Sequence, residues 1–326
     1  MAPKRGKDTL PAVKLRVLVT GASGFVGAAL CRELLARGHA VRAAVRRLPA
    51  PMEASSRVQY VLVQDIAGEL DRRALLEGMD AVVYLAGIAH RSAGEEELRR
   101  VNVAAPVRMG EAAAGRVRRF IFTSSLKVHG EDSGAGAFSE TDALHPEDLY
   151  GRSKAEAERA LEAVAARSGM ELALIRPPLV YGPGVKANFL RLLRWVDSGW
   201  PLPLAGVRNR RSLIYVGNLA DALARCVEHP RASGPVLVSD DEIVSTPELV
   251  SRIALALARP ARLVRVPLRF LQVLATAAGR GEEVRRLTGN LVTDTSATRR
   301  LLDWRPPHAL DAGLAETARW FRSVRR

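Results

Sequence analysis

A chain of 326 residues, 48% of them hydrophobic, is long enough for one large or two modest domains with a sizeable core. Its formal net charge of +14 could attract a polyanion, but the arginines are scattered and do not alternate with aromatics, so nucleic acid binding is not expected and most of the charge is read as solvated surface. Two cysteines in unrelated apolar patterns, Cys31 and Cys226, exclude a disulfide framework or a cysteine-based metal cluster. No run of about 18 apolar residues occurs and the basic stretch 1–14 lacks the apolar core of a signal peptide, so the expectation is a reduced, cytoplasmic protein with a mobile tail and no membrane insertion.

Residues 14–20 are strand-like and run directly into Gly21-Ala-Ser-Gly-Phe-Val-Gly27, after which Leu30, Leu34 and Leu35 continue at helical spacing. A glycine loop between strand and helix lets backbone amides approach a pyrophosphate at the helix N-terminus. Gly21, Gly24 and Gly27, with Ser23, Phe25 and Val26 between them, are therefore candidate dinucleotide contacts, although their GxxGxxG spacing departs from GxGxxG. A second strand over 40–45 ends in Arg46 and Arg47, where an NAD-binding unit usually carries an acid for the ribose hydroxyls. Arginine there suits the 2′-phosphate of NADP, so NADP is preferred with NAD possible; the alternative is that both arginines face solvent.

A third strand over 58–64 leads to Asp65 and Ile66, where the carboxylate could accept from an adenine amine or cap the next turn. A fourth over 81–85 ends at Leu85, and Ala86 and Gly87 after it are small enough to pass close to a cofactor. Asn102, in a helical stretch over 95–114, is a buried polar candidate without an assigned role. Residues 120–125 form an apolar run that would deliver Ser124 and Ser125 to a sheet edge. Tyr150 and Lys154 then stand four apart at the start of an Ala-rich helix over 150–168 and share one face. A phenol ordinarily titrates near about 10 and needs a cation or a helix N-terminus to exchange protons near neutrality; Lys154 and the first helical turn offer both.

Strands alternating with helices through residue 176 predict a doubly wound parallel sheet, an α/β fold, with a smaller, mainly helical second lobe. The expected division is a basic tail over 1–14, a dinucleotide-binding domain over 15–177 plus 212–240, and a substrate lobe over 178–211 plus 241–326. A Pro- and Gly-rich connection precedes a helix over 188–198. Short strands at 213–216 and 235–238 read as a return to the first domain, and amphipathic helices follow over 247–258, 268–278 and 310–324. The middle one, flanked by Arg265 and Arg269, is expected to cover a cleft rather than lie on a membrane.

Taken together, the Gly21 loop, Ser125, Tyr150 and Lys154 make the chain resemble the extended short-chain dehydrogenase/reductases, the nucleotide-sugar epimerase/dehydratase group, over about residues 14–324. The resemblance implies that Tyr150 is the general acid/base, that Lys154 holds the nicotinamide ribose and lowers the tyrosine pKa, and that Ser125 orients the reacting oxygen. Dehydratases of the group carry an Asp-Glu pair where Leu126 and Lys127 stand here, so dehydration is not expected; Lys127 is instead a candidate substrate contact. Arg211 matches the arginine that grips the substrate pyrophosphate and Asn188 a residue that contacts the nucleotide, while Leu179 replaces a frequent asparagine. The implied substrate is a UDP-sugar. The favoured activity is an NADPH-linked 4-ketoreductase of bacterial polysaccharide synthesis. The alternatives are a UDP-hexose 4-epimerase holding NAD, or a reductase of hydroxysteroid- or flavonoid-type ketones. Family members often dimerise through the helices near Asn102 and Tyr150, so a homodimer is a further expectation.

Overall fold

A computed structural model describes residues 14–48, 57–89, 93–267, 269–270, 276–277, 279 and 281–325. The basic tail and most of the helix expected over 268–278 lie outside these residues.

Seven parallel strands form the main sheet in the order β3-β2-β1-β4-β5-β6-β9. They are β1 (Arg16–Thr20), β2 (Ala40–Val45), β3 (Val58–Leu62), β4 (Ala81–Tyr84), β5 (Arg119–Thr123), β6 (Glu171–Arg176) and β9 (Gly234–Leu237). Strands buried on both faces read as continuous apolar runs, and the side chains divide by alternation. Val17, Val19, Val83 and Ile121 pack towards helices α1 (Phe25–Ala36) and α7 (Val216–Glu228), meeting Leu30, Leu34, Leu219 and Leu223. Leu18, Val82, Phe120 and Phe122 pack on the opposite face with Met109 and Leu161, contributed by α4 (Ala105–Ala113) and α5 (Leu149–Ser168). Because β1 lies between β2 and β4, the strand order reverses there, and in sheets of this kind ligands bind beyond the carboxyl ends of the strands at that point.

The helical stretch before α4 is not uniform. Helix α3 (Glu95–Leu98) passes into a π-helical segment, Arg99–Ala104, and then into α4. Pro106 accounts for the wider turn: it has no N–H to give the carbonyl four residues back, that of Asn102, and its ring would crowd that carbonyl in α winding.

The second lobe holds a three-stranded sheet, β10 (Ile243–Val244), β8 (Arg211–Tyr215) and β7 (Leu179–Tyr181), with β8 central. Helices α6 (Ala187–Ser198), α8 (Thr246–Ala256) and α11 (Leu310–Val324) enclose its core of Phe189, Leu193, Val250, Leu314 and Phe321. Two shorter helices, α9 (Gly281–Thr288) and α10 (Ser296–Leu302), complete the described chain. Here the expected division needs a correction. The strand expected to return to the first domain at 213–216 is β8, which pairs with β7 and β10 in the small sheet, and the return begins with α7. Its apolar run Leu213-Ile214 is buried in either sheet, so hydrophobicity alone does not choose the partner.

Candidate active site

Three segments meet at the carboxyl edge of the main sheet. The first is the glycine loop. Gly21 has φ +67°, and a Cβ there would sit 3.1 Å from the Ala86 amide nitrogen. A Cβ on Gly27 would lie 2.2 Å from the Gly21 carbonyl oxygen, closer than real atoms approach. The loop is thus wound on itself so tightly that glycine is required at both positions. Gly24 stands at the N-cap of α1 with no side-chain cap, which leaves the amide end of the helix, with its partial positive charge, open to a ligand. Ser23, Phe25 and Val26 belong to the same turn. The Thr20 hydroxyl accepts from the amides of Leu85 (3.1 Å) and Ala86 (3.2 Å), pinning the β4 loop beside the glycines.

That β4 loop is the second segment. Gly87 passes so near the π-helical turn and α5 that a Cβ would be 3.1 Å from Asn102 Oδ1 and 3.6 Å from Lys154 Nζ. Asn102, fully buried, receives the Ile88 amide at 2.8 Å and donates to the Ile88 carbonyl at 2.9 Å and to Ser153 Oγ at 3.1 Å. It therefore clamps the β4 loop to α5, a task its sequence context did not reveal.

The third segment joins the end of β5 to α5. Ser125 caps a short 3₁₀ turn, Leu126–Val128, and its side chain stands beside Tyr150, where it favours the phenolate. Buried Lys154 donates to the Thr123 carbonyl at 2.9 Å and lies 4.5 Å from the centroid of the Phe122 ring and 6.0 Å from that of Tyr150. Burial lowers the lysine to about 8, against the opposing charge of Glu158 one turn on. Glu158 is itself held by buried Arg176, at 2.6 Å. The tyrosine moves contrary to the expected depression: burial, aided by the nearby Asp148 carboxylate, pushes its phenol up to about 12, and only the Ser125 side chain opposes this. In the protein alone, Lys154 gives its ammonium to Thr123 and does not hold the phenol down. Beside this pair, Thr123 Oγ1 and Ser124 Oγ are buried with no hydrogen-bond partner among the described residues.

The remaining sequence candidates have different settings. Arg46 and Arg47 are exposed just beyond β2. Asp65 accepts from the Ala67 amide at 2.9 Å and pairs with Arg100 at 2.6 Å, so its carboxylate caps the turn that contains Ile66 and is already engaged. Lys127, expected to touch substrate, has its ammonium on Glu131 (2.8 Å) and Asp148 (2.5 Å) instead; two carboxylates within reach outweigh solvation of a lone lysine. Arg211 points into the second lobe, where it donates to the carbonyls of Arg286 (2.6 Å) and Gly289 (3.1 Å). Exposed Asn188 accepts from Arg191, and it follows Ala187, whose φ of +50° is a strained value for alanine. Among the described residues no group of three or more His, Cys, Asp or Glu could hold a metal, and no helix is long and apolar enough to cross a membrane.

Residues 17–238 match the NAD dependent epimerase/dehydratase family. The chain belongs to that family. It is an enzyme of the extended short-chain dehydrogenase/reductase type. A UDP-glucose 4-epimerase of Vibrio cholerae is 41% identical over 317 residues, covering 94% of this chain and 95% of its own. A 3-beta-hydroxysteroid dehydrogenase of Mycolicibacterium neoaurum is 32% identical over 80% of this chain and 75% of its own. Among solved structures, MoeE5 in complex with UDP-glucuronic acid and NAD superposes with a TM-score of 0.76 at 28% identity, over 95% of this chain and 99% of that one. The UDP-glucuronic acid 4-epimerase of Bacillus cereus in complex with NAD superposes at 0.79 with 22% identity over 96% and 100%, a likeness of fold.

Proposed function

We propose that the family member described here is a 4-epimerase of a UDP-hexose that works with NAD. The carrying observation is the convergence of Ser125, Tyr150 and Lys154 above the glycine cradle, at the edge where the strand order reverses. The residues fit the cofactor: Gly21, Gly24 and Gly27 would take its pyrophosphate, the Leu85–Gly87 stretch would run alongside it, Asp65 and Ile66 would border the adenine, and Lys154 would reach the nicotinamide ribose. When bound, NAD supplies a hydride acceptor and the positive charge of its ring. Tyr150 takes the proton from the sugar's C4 hydroxyl and gives it back to the ketone oxygen, and Ser125 holds that same oxygen in line. Arg211, at the lobe's edge, is the candidate for the substrate pyrophosphate, its planar fork suiting two oxygens.

Support for epimerisation over the reductase expected from Arg46 and Arg47 comes from the Vibrio cholerae relative and from NAD in the solved complexes. A guanidinium after β2 stacks on an adenine face as readily as it binds a 2′-phosphate, so the arginine pair does not select NADP by itself. The test is to incubate purified protein with UDP-glucose and NAD and resolve UDP-galactose by NMR, in parallel with NADPH and a UDP-4-keto-6-deoxy-N-acetylhexosamine. Interconversion with no NADPH oxidation is the expected result; NADPH oxidation with no interconversion would return the chain to the reductases.

A further inference from the structure

The helix carrying Tyr150 and Lys154 begins at a carboxylate that does two things at once. Asp148, at the N-cap of α5, accepts from the Gly151 amide through Oδ1 at 2.7 Å. Its Oδ2 receives Lys127 Nζ at 2.5 Å and, across the lobe boundary, Arg286 of α9 at 3.3 Å. Arg286 also grips both oxygens of Glu131, at 2.6 and 2.7 Å, and Lys127 adds a third contact to that carboxylate at 2.8 Å. Burial acts to raise Glu131, but the hydrogen bonds from Arg286 and Lys127 prevail and hold it at about 2. The backbone carbonyl of the same Arg286 receives the Arg211 guanidinium. One chain of contacts thus runs from Arg211 through α9 to the first turn of the catalytic helix.

We propose that Asp148 is a positioning residue through which the docking of α9 sets the placement and the electrostatic surroundings of Tyr150. This rests on Tyr150 being the acid–base group. One oxygen fixes where α5 begins; the other brings a negative charge two residues before the phenol, where it disfavours phenolate. Lys127 and Arg286 offset that charge, so a lobe that docks fully eases proton removal from Tyr150 and one that lifts away hinders it. The other charged groups around this point are Glu131, Glu147 and Arg285, which faces Glu147 at 3.4 Å, and Lys154 on α5 itself. None of them is substituted in either variant below, although Arg286→Gln leaves Glu131 to Lys127 and, at 4.0 Å, to Arg285.

Asp148→Asn keeps a good N-cap and removes the charge, and Arg286→Gln keeps bulk and removes the offsetting cation. Ionisation of Tyr150 is read as ultraviolet tyrosinate absorbance, taken as the difference between each protein and its own Tyr150→Phe counterpart, with circular dichroism to mark the pH range in which the fold persists. Asp148→Asn is expected to bring the onset of ionisation down by about half to one pH unit, and Arg286→Gln to move it up by about half a unit. The acidic limb of the turnover–pH profile should shift in the same two directions. Because the absorbance needs no substrate, it stands apart from the epimerase assignment. Shifts of the same sign in both variants, or none in either, would overturn the proposal. If Asp148→Asn does not fold, Asp148→Ser, which also caps a helix without charge, replaces it with the same expected sign.

Discussion

The glycine loop and the seam between the lobes are built on opposite principles. In the cradle, backbone decides: Gly27 leaves no room for a Cβ against the Gly21 carbonyl, and Thr20 ties down two amides of the neighbouring loop. In the seam, side chains decide: Lys127, Glu131, Asp148 and Arg286 hold one another across 159 positions of sequence, from 127 to 286. A backbone site tolerates almost no substitution and announces itself in a short motif. A charge network tolerates conservative exchange, responds to pH and salt, and leaves only scattered residues in the sequence.

This contrast can be broken at three points. The largest effect is expected from Tyr150→Phe, which should reduce turnover by about 10²- to 10⁴-fold while NAD affinity, followed by fluorescence titration, stays close to that of the parent. Loss of cofactor binding in that variant would mean that the tyrosine serves the cradle rather than the chemistry. Next, Gly27→Ala should destabilise the fold by about 3 kcal/mol in a denaturant titration and weaken NAD together with it, since the new methyl meets backbone and not a yielding side chain. A smaller effect is expected in the seam. The carboxyl of Glu131 titrates lower in the folded protein than in the unfolded chain, so its contribution is complete above the unfolded value of about 4.3 and fades as the pH falls towards about 2. Glu131→Gln should therefore lose about 1–2 kcal/mol of stability at neutral pH, and the gap to the parent should close on acidification. A gap that stays constant down to pH about 2 would show that packing, not charge, is what Glu131 contributes.

How much of this was legible in the sequence follows the same division. The central strands of the main sheet could be read because burial on both faces writes apolar runs, and the limits of β2 and α11 fall where composition placed them. Tyr150, Lys154 and Ser125 were findable because spacing on one helix and one strand end decides their neighbours. Small apolar strands carry no such address, which is why β8 was placed with the wrong sheet. The ion pairs of Lys127 were hidden for a related reason: its partner Asp148 comes from another element, and no local pattern shows that two carboxylates lie within its reach. Asp148 itself had a readable signal, an aspartate three residues before the Gly151 amide at the start of a helix. The partner across the boundary, Arg286, had none.

The π-helical turn at Arg99–Ala104 has a consequence for how this protein can change. A π turn holds one residue more than an α turn over nearly the same rotation, so removing a single residue there would let the helix close to α winding, and the side chains inside the turn would change face. Asn102 would then leave Ile88 and Ser153 unheld. Pro106, buried at the start of α4, thus governs an insertion and deletion constraint, and replacing it with alanine offers a route by which a change outside the catalytic residues loosens the hold of Asn102 on Ile88 and Ser153.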